Sequence, residues 1–181
     1  MDVPSLLESK RLILRPITHD TIDVFSHIIN DAHVSKNLKF VLKNEIRENF
    51  DDLFHSIINS YTSSKQIIAL EIIIKESEKS IGLCGLISLK NDKIVECFYA
   101  LLPRFRGYGF AIEAMKKLID YAFSRLNISK VIAYLNPESS QLWKVAERIG
   151  MKYMGQKQLK KISSKAMYFS IEKAEFEAQK F

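Results

Sequence analysis

Arg104, Arg106, Gly107 and Gly109 fall close together in the stretch LPRFRGYGFAIEAMKK, Leu102 to Lys117. An apolar run precedes them and an amphipathic one follows, which places the loop Arg104–Phe105–Arg106–Gly107–Tyr108–Gly109 between a strand and a helix. The first backbone N–H groups of a helix have no intrahelical partner, and the helix dipole there favours an anion. Glycines adopt positive φ and let the backbone approach that anion closely. Arginines add charge-assisted hydrogen bonds. The loop is thus either a phosphate cradle or a basic surface turn, and its spacing matches neither the P-loop nor the dinucleotide fingerprint. Glu71 is a second signal, because a charge inside the apolar run ALEII requires a partner or an open cleft. His19, His27, His33 and His55 show no ligand pairing, so no metal site is expected.

The elements that must position these residues follow from periodicity. KRLILRPI (Lys10 to Ile17) reads as a strand. Thr18 and Asp20 then offer a cap and a negative first turn for a helix carrying Ile22, Phe25, Ile28 and Ile29. A second helix starts at about Asn44, with Ile46, Phe50, Leu53, Phe54, Ile57, Ile58 and Tyr61 in one stripe. Three strands follow: QIIALEIIIKE, KSIGLCGLISLKND and KIVECFYALLP. Tight turns, one of them Asn91–Asp92, join them into an antiparallel meander. From Gly109 the period is helical again, with Ala111, Met115, Leu118, Ala122 and Leu126 on one face. SKVIAYLN is a strand, Asn136–Pro137 caps a last helix with Leu142, Val145, Ala146 and Ile149 inward, and Gly150 suits a left-handed C-terminal position. MKYMGQ and KAMYFSIEK close the chain as strands. The pattern predicts one mixed α+β domain over residues 1–181.

Composition agrees with a globular protein. The 181 residues are 47% hydrophobic and 27% charged, and no apolar run is long enough to span a membrane. The N-terminus lacks a basic head followed by an apolar core, so no secretory signal is expected. Cys84 and Cys97 lie in apolar runs and read as buried thiols in a reducing cytoplasm. Net charge is +6, but the Lys and Arg are spread along the chain, so no nucleic-acid partner is expected.

RFRGYGFA resembles the R/Q-x-x-G-x-G/A signature of the GNAT superfamily of acyl-CoA-dependent N-acetyltransferases. ESKRLILRPIT resembles the opening of the branch that includes the ribosomal-protein N-terminal acetyltransferases. VECFYALLPRFRGYGFAIEAMKKLIDYAF, ISKVIAYLNPESSQLWKVAERIGMKYMG and MYFSIEKAEF are similar to later parts of that branch, in the same order. Only the stretch from Asp31 to Ser64 is unlike it. The resemblance implies a mixed, mostly antiparallel central sheet flanked by helices and splayed between the strand ending at Leu101 and the one from Ser129. It implies acetyl-CoA as co-substrate, with its pantetheine arm in the splay against the backbone of Leu101 and Leu102. The pyrophosphate would lie on the N–H groups of Arg106, Gly107, Tyr108, Gly109 and Phe110, with Ala111 in the first helical turn and Arg104 at the first motif position. Ser139 and Trp143 fall on the same side. Residues of about 66–157 would form the coenzyme-binding core and about 18–64 the acceptor side.

The implied reaction is direct attack of a primary amine on the thioester carbonyl. It needs a neutral amine, an oxyanion donor and a proton for the thiolate. Glu96, in the strand feeding the loop, matches the acidic position before tyrosine in the branch and is the first candidate for the base; Glu71 is the second. The acid is harder to assign. The tyrosine that many relatives carry four residues before the glycine is Ala146 here. The asparagine and serine of an N-x-x-S pattern become Ser139 and Leu142. Ser140 or Gln141 can stand in. A helix with Glu45, Glu48, Asp51 and Asp52 could attract a cationic acceptor, and protein N-termini, amino sugars, polyamines and small amines all remain open. The replaced positions leave a catalytically degenerate acyl-CoA-binding sensor as the alternative. A homodimer is compatible with the fold.

Overall fold

The computed structural model describes residues 1–32, 34, 50–63, 66–158 and 165–179. A two-residue strand β1 (Leu7–Glu8) turns into β2 (Leu12–Pro16). The Ser9 hydroxyl holds this turn, accepting a hydrogen bond from the Leu12 N–H. Helix α1 (Ile22–Ile29) follows a single 3-10 turn, and α2 spans Phe50–Ser60. The earlier part of the expected second helix, with Ile46, Glu45 and Glu48, lies outside the described residues, as do the side chains of Phe50 and Asp51.

The meander is present as β3 (Ile67–Ile74), β4 (Ser80–Ser88) and β5 (Ile94–Leu101). Asn91 forms its second turn, its carbonyl accepting from the Ile94 N–H. Helix α3 (Phe110–Arg125) crosses over to β6 (Lys130–Leu135). Then come α4 (Ser140–Arg148), β7 (Lys152–Gln158) and β8 (Lys165–Glu172). The eight strands form one sheet in the order β1-β2-β3-β4-β5-β6-β8-β7. All neighbours are antiparallel except β5 and β6.

Alternation along the strands loads both faces. On one face α3 and α4 bury Met115, Leu118, Ile119, Ala146 and Ile149 against Ile68, Leu70, Val131 and Phe169. On the other, Phe25, Ile28, Leu53, Phe54 and Ile57 cover Ile67, Ala69, Leu83, Phe98 and Ala100.

The expected strand KAMYFSIEK is present as β8, and a short helix that was not expected, α5 (Lys173–Ala178), follows it. Glu175 accepts from the Glu172 N–H, which caps its start, and Phe176 packs on Phe123. Asn136 and Pro137 do not cap α4, whose N-cap is Ser139. Instead Asn136 Oδ1 accepts from the Glu138 N–H, closing a turn one step earlier.

The sheet splays where its direction changes. The parallel β5–β6 ladder has three pairs, ending at Glu96 opposite Ile132. Beyond it β5 runs on to Leu101 and β6 to Leu135 without pairing to one another.

Candidate active site

The glycine loop follows β5 as a 3-10 turn (Pro103–Phe105) and enters α3 at Gly109. Gly107 (φ 88°) and Gly109 (φ 80°) both occupy the left-handed region, which side chains disfavour. A Cβ on Gly107 would meet nothing within 4 Å. The loop is therefore open towards whatever binds it, as a backbone cradle requires.

A cavity of about 270 Å³ begins at this loop. Its walls include Leu101, Arg106, Gly107, Gly109, Phe110 and Ala111 from the loop side, and Ser139, Gln141, Lys144 and Arg148 from α4. A deeper void of about 30 Å³ shares Tyr99, Leu142 and Val145 with it and runs between the parted strands, against Cys97, Ala133 and Leu135. The outer part is basic and the inner part apolar. A diphosphate with a long, weakly polar arm fits that sequence of surfaces. Burial keeps both thiols protonated: Cys97 is pushed up to about 12, and Cys84 higher still.

Several expected coenzyme contacts are redistributed. Arg106 turns back, donating from Nε to the Leu101 carbonyl at 3.0 Å, so it braces the splayed end of β5. Leu102 belongs to the opposite face, where it is buried with Phe98 and Ala100, and its N–H is spent on the Ile81 carbonyl. Arg104 stacks on Phe105 at 4.9 Å and borders a hollow formed with His27 and Asn30 on the α1 side. Tyr108 is exposed. Trp143 packs against the core and does not line the cavity. Its Nε1 is buried without a hydrogen-bond partner among the described residues. Ser140 is exposed and does not line the cavity either, whereas its neighbours Ser139 and Gln141 do. This is the rotation of 100° per residue that an α-helix imposes.

The two candidate carboxylates do not converge. Glu71 faces Leu83, which faces Ala100, four residues along β5 from Glu96. Two strand spacings and four residues of rise separate them, roughly 16 Å. Glu71 is 1% exposed and paired with Arg15 at 2.8 Å, so its buried charge has a partner within the sheet. Because Arg15 itself is half exposed, solvent moderates the loss of the pair. Arg15→Ala should cost about 1–3 kcal/mol by stranding the buried Glu71 charge. Chemical denaturation should show that loss, with activity per folded molecule unchanged.

Glu96 lies at the fork itself. It is buried, and desolvation pushes its carboxyl up to about 8. A carboxylate of that basicity is matched to accepting a proton near neutral pH. It points to the α1–α2 face, with Phe98 and Ala100.

One supporting group was not anticipated. Arg11, just before β2, donates from Nε to Glu113 Oε2 at 2.7 Å and from Nη1 to the Tyr108 carbonyl at 3.0 Å, while lying over the Phe110 ring at 4.5 Å. Glu113 Oε1 also accepts from the Arg11 N–H and from the Ser9 hydroxyl. Burial raises the Glu113 carboxyl, but these donors outweigh it and hold it below its ordinary value. The network ties the glycine loop and the first turn of α3 to the sheet edge. Arg11→Ala should raise KM for the coenzyme about 3–10-fold with kcat within twofold, the loss of roughly one net charged hydrogen bond. Steady-state kinetics at varied coenzyme would read it.

Among the described residues no group of three His, Cys, Asp or Glu side chains is placed to hold a metal, and no helix is long and apolar enough to cross a membrane.

Residues 11–152 match the Acetyltransferase (GNAT) domain family. The chain belongs to this family and is an acetyl-CoA-dependent N-acetyltransferase. It is 30% identical over 151 residues to the uncharacterized N-acetyltransferase p20 of Bacillus licheniformis, covering 82% of this chain and 83% of that one. Its fold is similar to that of spermidine N-acetyltransferase from Vibrio cholerae in complex with CoA and spermine, with TM-score 0.75, 18% identity and coverage of 93% of this chain and 99% of the other. It is also similar to aminoglycoside acetyltransferase AAC(6')-Ib in complex with coenzyme A, with TM-score 0.78, 14% identity and coverage of 94% and 99%.

Proposed function

We propose that the protein acetylates a primary amine by direct transfer from acetyl-CoA, with Glu96 as the base. One observation carries this reading. The β5–β6 ladder breaks immediately after Glu96, so a buried carboxyl stands at the fork of the two strands, on the α1–α2 side, while the cavity that begins at the positive-φ glycine loop enters the gap between the same strands from the opposite side.

In this reading the N–H groups of the loop and the start of α3 hold the pyrophosphate. Lys144 and Arg148, spaced i,i+4 on the cavity side of α4, supply further positive charge to the phosphates. The pantetheine arm occupies the apolar gap between β5 and β6. The amine approaches from the α1–α2 face and gives a proton to Glu96, directly or through water. Its lone pair forms the N–C bond, and the C–S bond breaks. The departing thiolate is a weak enough base to leave without an enzymic acid, which accommodates the alanine at 146. The acceptor is a small amine or a protein N-terminus; the spermine bound in the spermidine N-acetyltransferase neighbour favours starting with alkylamines.

The test is release of free CoA thiol from acetyl-CoA across a panel of polyamines, aminoglycosides and peptides with free N-termini. Acceptor-dependent release with at least one class is the expected result. Coenzyme binding without turnover on the whole panel would contradict it.

A further inference from the structure

On the same face as Glu96, the parted end of the sheet carries an aromatic pair that the reaction so far does not use. Ile132 lies opposite Glu96, and Tyr134 is two residues further on, so both side chains emerge on the Glu96 side. Tyr168 is the cross-strand partner of Tyr134. The two rings stack at 5.3 Å with 26° between their planes, and both are half-buried. Val131, Ala133 and Leu135, the alternate residues of β6, point into the opposite core. The Tyr134 phenol is raised by burial, then by the Glu96 carboxylate and by Tyr168, which agrees with this closeness.

An ammonium group already sits on this pair. Lys157 Nζ lies 3.8 Å from the centroid of the Tyr168 ring. Lys157 is exposed at the end of β7 and appears in no ion pair among the described residues. A ring face that holds one alkylammonium can hold another.

We propose that Tyr134 and Tyr168 form the acceptor platform, and that its ligand is a cationic alkylammonium which takes the ring face now covered by Lys157. The inference rests on the acetyltransferase reading only for the role of Glu96; the platform itself is a matter of binding. It gives the acceptor two contacts: a distal ammonium on Tyr168, and a reacting amine directed towards Glu96. Diamines and polyamines have both groups, and simple neutral-tailed amines have one. Lys157 acts as a competitor that the substrate must displace.

The test is a proton NMR titration without coenzyme, using choline and its neutral isostere 3,3-dimethylbutan-1-ol as probes. Choline cannot be N-acetylated, so binding is read independently of turnover and of acetyl-CoA. Line broadening of the choline trimethyl signal is expected with the wild type and with Tyr168→Phe. Tyr168→Leu should weaken it roughly 5–30-fold, and the isostere should bind no better than Tyr168→Leu binds choline. Lys157→Met, a surface change that leaves the fold intact, should tighten choline several-fold. Equal binding of choline and isostere, or no change in Lys157→Met, would overturn the platform. Failure of acetyl-CoA to bind would overturn the coenzyme reading and leave this result standing.

Discussion

Glu96→Gln is expected to lower kcat/KM by about 10²–10⁴-fold, the usual worth of a positioned general base, and to make the folded protein more stable. Both effects come from the same burial. The folded carboxyl, at about 8, lies above its ordinary 4.5. Between those values the native state binds more protons than the unfolded one, so stability falls as pH rises. The cost is absent below about pH 4.5, grows through neutrality and is complete above about pH 8. At pH 7 it is on the order of 3 kcal/mol. Glutamine keeps the shape and removes the charge. The variant should therefore match the wild type in thermal unfolding at pH 5 and exceed it at pH 8. The wild-type kcat/KM should rise with pH to a plateau above an apparent pKa near 8. An active variant, or a stability difference that does not change with pH, would remove Glu96 from the mechanism.

Gly107→Val is the second large effect, a loss of coenzyme binding beyond detection. The residue needs φ 88°, and a β-branched side chain there is strained by a few kcal/mol. Its new Cβ would stand in open space facing the cavity, so the damage falls on the ligand rather than on a packed neighbour. Gly155 supplies the control. It has φ 97° and equally open surroundings, but lies on β7 away from the cavity. Gly155→Val should be destabilised to a similar extent and still bind acetyl-CoA. Equilibrium dialysis with labelled acetyl-CoA separates the two variants.

Much of this architecture is legible in the chain because local rules and global packing agree. The isoleucine-rich run at Ile67–Ile74, the return to helical period at Gly109 and the left-handed Gly150 (φ 94°) each predict what is found. The short helix α5 escapes because KAEF follows a strand without a break, and its cap is a Glu172–Glu175 exchange rather than a Ser or Thr signal. Glu96 and Glu71 look alike in sequence, each an acid inside an apolar strand. What distinguishes them is register: Glu71 meets Arg15 across β2, while Glu96 meets the last pair of a broken parallel ladder. Periodicity within one strand holds no information about its neighbour. Arg11 is hidden for the same reason, since its partners Tyr108 and Glu113 are about a hundred residues away. Lys144 and Arg148 were within reach, because i,i+4 basic residues beside the apolar stripe of α4 mark one edge of that helix. The Tyr134–Tyr168 stack was not, because it needs the pairing of β6 with β8.

The most direct test of the central claim, that the glycine loop and the splayed strands bind acetyl-CoA, is thermal unfolding at rising acetyl-CoA with ATP as a phosphate control. A specific site stabilises the fold by about 2.7 kcal/mol at a hundredfold excess over Kd, a rise of roughly 5–10 °C for a chain of this size. That rise with acetyl-CoA, and none with ATP, is the predicted result. An unchanged midpoint with both ligands would make the Arg104–Gly109 segment a basic turn and contradict the account.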